Sequence, residues 1–489
     1  MQRARTRGAV RQAPRADHTT DVVVIGGGVV GAAVAARVSQ TRNRVCLLEA
    51  AGDLAEGASK GNGGVANSGF DTEPGTLESQ LITASSHRWE ELARQLDVPF
   101  RRIGLLSVAN TAGDCERLEL RHEKATANGV RTELVSARRA RELEPLLGDC
   151  LRALWSPDDG IFDPMRLTIG YAELAARNGA EVRVRSPVIG IERDADRITE
   201  VRTPTARIRT RFVVNAAGLF ADDVDALAGG DPCRMWPRHG QWWVLDREFG
   251  SKLSHVIAPV PGTEARGVYV LPTTNGSALV GPTADDREDR WDTSTDQAAA
   301  ESVFAKAREL VPTASPDYAI KSFAALRPAS DQLYRVRIDD GVVNLVHATG
   351  IRSTGVSASP ALADLVLGLL GDAGLDPADR AEALTDIPAR PRYAGAPDPT
   401  ELDKLDPGYG QIVCACEHVS AAEIAASLQM RVPARSIAGV RKRTGATGGR
   451  CQGSVCAAGV AFICSLHLGV APEDVPFDDG AGVLGVGRA

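Results

Sequence analysis

The stretch from Asp21 to Gln40, DVVVIGGGVVGAAVAARVSQ, limits the fold more than any other part of the chain. Its β-branched residues run directly into glycines, and the glycines run directly into an Ala- and Val-rich helix pattern. Gly26, Gly28 and Gly31 form G-x-G-x-x-G, and a second apolar run, RVCLLEA at 44–50, carries Glu49 at its end. In such a unit the first glycine permits a tight turn, the second lets backbone approach a pyrophosphate, and the third lets helix and strand pack closely. The helix N-terminus offers free N–H groups and the positive end of its dipole to phosphates. A carboxylate at Glu49 accepts from ribose hydroxyls and repels a 2'-phosphate. The pattern predicts a βαβ unit holding a dinucleotide, and by itself does not separate FAD from NAD.

The rest of the chain reads as further strands and helices around that unit. FVVNAAG at 212–218 and VVNLVHATG at 342–350 are apolar runs ending in glycine, as buried parallel strands end. WPRHGQWWVLD and VYVLPTTNGSALVGP lie between them and suit antiparallel strands of a second, interleaved domain. Pro388, Pro391, Pro397, Pro399 and Pro407 are too dense for helix or central strand and mark a linker. Residues 453–472 carry no formal charge, but Val460, Ile463, Leu466 and Val470 recur at helical spacing among small residues, so a buried helix is expected rather than a membrane span. The arginine-rich N-terminus has no apolar segment of the secretory kind; a disordered tail is expected there, with a transit peptide as the alternative. With 56 basic against 63 acidic residues and a net charge of −7, no basic field for nucleic acid exists, while small anions need only local arginine.

Four of the nine cysteines crowd between Cys414 and Cys456, as Cys414-x-Cys416 and Cys451-x4-Cys456. Four thiolates from two turns suit a 2Fe-2S cluster, two per iron. Zinc also accepts four thiolates, with His418 as a spare ligand, although C-x-C is tighter than structural zinc sites favour. Either metal points to a reducing, cytoplasmic setting. Ser420 and Glu423 read as a capping box opening the helix after the first pair. Glycines 445, 448 and 449 are expected to bring backbone near the sulfurs, and Arg441, Lys442, Arg443 and Arg450 to offset the cluster's charge. Cys46, Cys115, Cys150 and Cys233 show no ligand spacing.

On IGGGVVGAAVA, ASKGNGGVANSGFDTEPGTL, VVNAAGLFADDV, LVGPT and GIRSTGVSASPALA, taken in order, residues 21–370 resemble the D-amino-acid-oxidase-like FAD superfamily. Within it they are similar to enzymes related to the anaerobic glycerol-3-phosphate dehydrogenase catalytic subunit and to L-2-hydroxyglutarate dehydrogenases. IVCACEHVSAAEI and GVRKRTGATGGRCQGSVC resemble the bacterioferritin-associated-ferredoxin-like 2Fe-2S domain. The resemblance implies that Gly26, Gly28, Gly31 and Glu49 hold the ADP half of FAD, with Ser59 and Asn62 near the pyrophosphate or flavin. Ala216, Ala217 and Gly218 would close the cleft, and the turn with Gly350, Ser353 and Gly355 would border the flavin. Cys414, Cys416, Cys451 and Cys456 would ligate the cluster.

Together these readings predict an α/β protein. A Rossmann-like FAD-binding domain over 20–95, 151–228 and 325–386 interleaves with an antiparallel-sheet substrate domain over 96–150 and 229–324. Tails cover 1–19 and 473–489, a linker 387–409, and a small helical 2Fe-2S domain 410–472. Arg327 and Arg352 are expected to clamp a small anionic substrate, since guanidinium binds carboxylate or phosphate bidentately. Relatives commonly carry His where this chain has Asn67, which leaves His239 and His347 as the remaining bases. The expected activity is hydride transfer from a 2-hydroxy acid or glycerol 3-phosphate to FAD, with electrons leaving through the cluster to an acceptor or partner redox subunit. Any membrane association would run through that partner. Oxidation of an amine, imino acid or opine stays open, as does a non-catalytic electron-transfer or cluster-carrying subunit.

Overall fold

The computed structural model describes residues 15–231, 233–261 and 267–478. Its first layer is a six-stranded sheet in the order Glu181–Arg183, Val45–Leu48, Val22–Ile25, Phe212–Asn215, Leu345–Thr349 and Arg335–Ile338. The first five strands are parallel, and Arg335–Ile338 closes the edge antiparallel. Both faces of this sheet are covered, which is why its central strands are unbroken apolar runs. On one face helix Val29–Ser39 packs against Pro164–Arg177 and Gly355–Asp372. On the other lies a small sheet built from Arg15–Thr19, Ala206–Arg209, Arg197–Thr203 and Gly190–Asp194.

The second layer is a nine-stranded sheet in which Met235–Leu245 pairs along its length with Ala319–Ser330. It is antiparallel except where Val256–Pro259 runs beside Leu105–Ala109. Trp242 and Trp243 point to opposite faces of the sheet, as neighbours on a strand must, and each enters a different apolar cluster. The C-terminal module is a two-stranded ribbon, Ile412–Cys414 with Val419–Ser420, and helices Ala421–Leu428, Ile437–Thr444 and Ala457–Leu468 around their own core. The capping box of Ser420 and Glu423 is present.

Several expectations need correction. Residues 1–14 of the expected N-terminal tail lie outside the described residues, but Arg15–Thr19 adds a strand beside Ala206–Arg209. The strand Arg152–Ser156 and residues 325–330 belong to the second sheet, because their backbones pair with Leu105–Ala109 and Met235–Leu245. The proline-rich segment holds a helix, Pro399–Leu405, since proline is tolerated in a first turn where its N–H has no partner to lose. That segment is also strapped down: Ile387 N donates to Gln95 O at 2.8 Å, and Arg390 and Arg392 both bond Asp97. At the C-terminal end, residues 479–489 lie outside the described residues, while Val475 is buried in the module core and Pro476 O accepts from Ile437 N. Helix Ala457–Leu468 buries Val460 but leaves Phe462 and Leu466 exposed, so it is not the fully buried helix expected. Among the described residues no helix is long and apolar enough to cross a membrane.

Candidate active site and cluster centre

The glycine turn, Glu49, the Ala216–Ala217–Gly218 turn and Gly350 follow four parallel strands at one sheet edge, where open α/β sheets place their ligands. A Cβ on Gly31 would lie 1.9 Å from Gly26 O, so this helix and strand approach only because Gly31 has none. Gly28 is different. Its φ of −77° suits any residue, and a Cβ there would meet only Ser59 Oγ at 3.2 Å. Open space beside the helix N-terminus, rather than backbone strain, is what Gly28 provides. Ser59 Oγ accepts from Val29 N at 2.9 Å. The helix starting at Gly355 begins alongside, with the Gly355 Cβ position 3.3 Å from a Val29 methyl. Neither helix receives a side-chain cap from its own N-cap residue, Gly28 or Thr354. Two helix N-termini with N–H groups to spare, meeting at an open glycine, fit the pyrophosphate of a dinucleotide.

Glu49 accepts from Gly27 N and Ala51 N, each at 2.7 Å. Burial pushes its carboxyl above the usual range, and those two N–H groups oppose the shift. Asn62 ties the loop to the second turn, donating to Ser353 O at 3.0 Å and accepting from Gly64 N at 2.7 Å. Pro360 sits inside the second helix and cannot donate to Val356 O; the Ser359 hydroxyl does so instead, at 3.2 Å.

Beyond the cradle opens a cavity of about 540 Å³ walled by Asn62, Asn67, Trp242, Arg327, Arg352 and Ser353 among others. Arg327 reaches it from strand Ala319–Ser330 and donates to Thr283 O at 2.7 Å. Arg352 has φ +56°, an unfavourable conformation for a side-chain-bearing residue, at the cavity wall. Glu78 holds this turn, accepting from Arg352 at 2.8 Å and from the Thr354 hydroxyl at 3.0 Å. Asn67 is locked between Asp71 Oδ1, at 3.0 Å, and Gly69 N, at 2.7 Å. Its neighbour Ser68 donates through both backbone and hydroxyl to Asp159, a fully buried carboxyl pushed up to about 7 by burial.

Neither histidine takes the role left open for it. His239 is buried beside Ser294 O and does not line the cavity. His347 lies within a buried ion network with Arg335 and Asp339, each at 2.9 Å, where burial pushes its pKa down. Trp242 belongs to an apolar cluster and also forms part of the cavity wall, with Gly63 packed on its ring. Glu78 and Gln241 were not legible as site residues: no motif surrounds them, and only folding carries them to the cavity region.

In the C-terminal module the thiols stand in two pairs, Cys414 with Cys456 and Cys416 with Cys451. Backbone N–H groups of Val455 and Gly453 point at the Cys451 sulfur, and that of Thr447 at Cys456. Burial pushes Cys456 up to about 12, with Cys414 adding to the shift. Metal coordination removes that difficulty by deprotonating the thiol outright. Gly449 lies so close that its Cβ would stand 2.4 Å from Cys416 Cβ. Paired thiols with N–H groups aimed at sulfur fit a cluster of two irons. His418 is exposed on its turn. The basic run is redistributed: Arg441 lies by Cys456, Arg450 is 3.9 Å from Asp246, and Lys442 and Arg443 turn away to Asp53.

Comparison with known proteins matches a model described as FAD dependent oxidoreductase to residues 21–369, and one described as BFD-like 2Fe-2S binding domain to residues 412–463. The second match decides between iron-sulfur cluster and zinc. Glycerol 3-phosphate dehydrogenase of Caloramator mitchellensis is 30% identical over 469 residues, 94% of this chain and 96% of that protein. L-2-hydroxyglutarate dehydrogenase of Caenorhabditis elegans is 31% identical over 54% of this chain and 63% of its own length. The dithionite-reduced L-alpha-glycerophosphate oxidase from Mycoplasma pneumoniae, with FAD bound, superposes with a TM-score of 0.71. It is 26% identical and covers 76% of this chain and 98% of its own.

Two measurements test the site. Gly28→Val fills the space beside the helix N-terminus, so the purified variant is expected to lose its flavin absorbance while keeping wild-type circular dichroism; full flavin occupancy would remove Gly28 from the site. Asp159 keeps its proton to about pH 7 when folded, against an ordinary value of 3.8. The folded state therefore binds more protons between those values, and stability falls as pH rises through that window. Melting temperature followed across it is expected to decline in the wild type and to flatten in Asp159→Asn.

Proposed function

The chain belongs to the FAD dependent oxidoreductase family, and from that footing we propose that it oxidises the CH–OH group of a small anion of the glycerol 3-phosphate or 2-hydroxy acid type. The observation that carries the reading is one cavity in which Arg327 and Arg352 share walls with Asn62 and Ser353 of the cofactor cradle. Bound in this cradle, FAD would supply the hydride acceptor, and a 2Fe-2S cluster on Cys414, Cys416, Cys451 and Cys456 would supply a one-electron exit. Gly26, Gly28, Gly31, Glu49 and Ser59 would hold the ADP half, and the turn from Gly350 to Gly355 the flavin end. Arg327 and Arg352 orient the substrate by its charge. Trp242 and the Gly61 to Gly63 loop, packed on the second sheet, exclude water from one wall.

One observation favours a second reading. Among the described residues no histidine lines the cavity, and Asn67 has both polar atoms engaged within its own loop. An alcohol must lose a proton as it gives up hydride, whereas a neutral amine need not. An anaerobic panel of glycerol 3-phosphate, 2-hydroxy acids and secondary amines separates the two by which member bleaches the flavin. Bleaching by none would favour a cluster-carrying subunit without substrate chemistry. The nine free cysteines and the cluster support a reducing, cytoplasmic location and a partner redox protein as acceptor.

Changing Arg327 or Arg352 to Ala is expected to cost about 2–4 kcal/mol in apparent transition-state binding, read from kcat/KM, with FAD retained. Lys at either position restores only part of that loss, because the bidentate fork is gone. Cys451→Ser is expected to lose iron and cluster absorbance. Stopped-flow flavin bleaching by substrate then persists for one turnover, while steady-state reduction of the acceptor collapses.

A further inference from the structure

The loop after Glu49 links two regions far apart in sequence. Leu54 Cδ2 lies 2.5 Å from where a Cβ on Gly27 would stand, and Ala55 N donates to Gly27 O at 3.0 Å. The glycine turn is thus backed from outside by residues 54 and 55. Ala55 holds φ +59° and is fully buried, so its surroundings must impose a conformation that an alanine does not favour.

Those surroundings include the C-terminal module. Arg443 donates two bonds to the Asp53 carboxylate, at 2.8 and 2.9 Å. Lys442 donates to Leu54 O at 2.8 Å and pairs with Glu56. Both cations are 3% exposed, so this is a desolvated contact and not a surface ion pair. They sit on helix Ile437–Thr444, where the adjacent Arg441 bonds Thr447, whose backbone N–H faces the Cys456 sulfur. One helix end therefore grips the loop behind the glycine turn and lies beside the cysteine loop.

We propose that the 2Fe-2S module is part of the apparatus that retains FAD, with Asp53, Lys442 and Arg443 as positioning residues that press Leu54 and Ala55 against the glycine turn. Retention and docking are then reciprocal: the docked module slows FAD loss, and bound FAD holds the module down. The inference rests on the glycine turn as the ADP site, which Gly28→Val tests separately: full FAD retention in that variant would fell the site assignment and the coupling with it, whereas unchanged release in the docking variants would fell the coupling alone.

The test uses the holoenzyme carrying both cofactors. Release of FAD is followed by the recovery of free flavin fluorescence in Arg443→Met, Lys442→Met and Asp53→Asn, with iron content and cluster absorbance measured on the same samples. Release is expected to be on the order of tenfold faster than in the wild type, with the cluster intact. Arg443 also bonds Val432 O and Gly439 O within the module, so Asp53→Asn provides the variant that leaves the module's own contacts untouched. Wild-type cluster absorbance and far-UV circular dichroism in Asp53→Asn, beside faster release, distinguish the coupling from a general loss of structure. Wild-type release rates in Lys442→Met and Asp53→Asn would overturn the proposal.

Discussion

The meeting of two helix N-termini at one edge of the parallel sheet is the constraint on which the rest of the molecule depends. Helix Val29–Ser39 can start there because Gly31 lets it lie against Gly26 O, and the helix from Gly355 starts beside it. Neither is capped by its own N-cap residue, so both leave N–H donors and like dipole ends together. An anion satisfies such an arrangement by accepting from both sets of N–H groups and meeting both positive dipole ends. The FAD pyrophosphate would lie at the first helix, and the second would favour negative charge on the flavin end.

The cavity follows from the way the second sheet is threaded through the first. Strand Ala319–Ser330 brings Arg327 to the opening, and the turn after strand Leu345–Thr349 brings Arg352 to the same space from the parallel sheet. Two guanidinium groups delivered by different layers can be held at a set separation only if the layers are locked. Gly61 against Ala325 and Gly63 against Trp242 provide part of that lock. Beneath the cavity wall, Asp159 holds the backbone of Ser68 and so the position of Asn67. Burial is what keeps that carboxyl protonated up to about pH 7, against the opposing hydrogen bonds from Ser68 and Ser156.

The C-terminal module is bound to both layers. Arg247 of the second sheet's side bonds Cys416 O and Glu417, while Glu173, on a helix of the first layer, accepts from Val432 N. The ligand turn carrying Cys416 is therefore fixed relative to the cavity layer, and helix Ile437–Thr444 relative to the cofactor layer. A cluster that must exchange electrons with a flavin benefits from such fixation more than from a flexible tether.

Local chemistry made a large share of this legible in the sequence. The glycine spacing, the Glu49 carboxylate, the apolar strands ending in glycine, the capping box and the paired cysteines each follow from interactions within a few residues or from one repeated geometric need. For the same reason the α/β class, a dinucleotide site and a four-thiolate metal site could be read before any contact was known, while FAD and the 2Fe-2S cluster were implied by family resemblance. What folding alone decided are the partners of charged and polar groups across long separations. The sequence alone could not show that Lys442 and Arg443 answer Asp53 and not the cluster, that His347 is consumed by Arg335 and Asp339, or that Glu78 orients Arg352. A guanidinium or imidazole carries the same chemistry wherever it stands. Its role is set by which opposite charge the chain brings within about 3 Å in a desolvated site, and only the tertiary structure decides that.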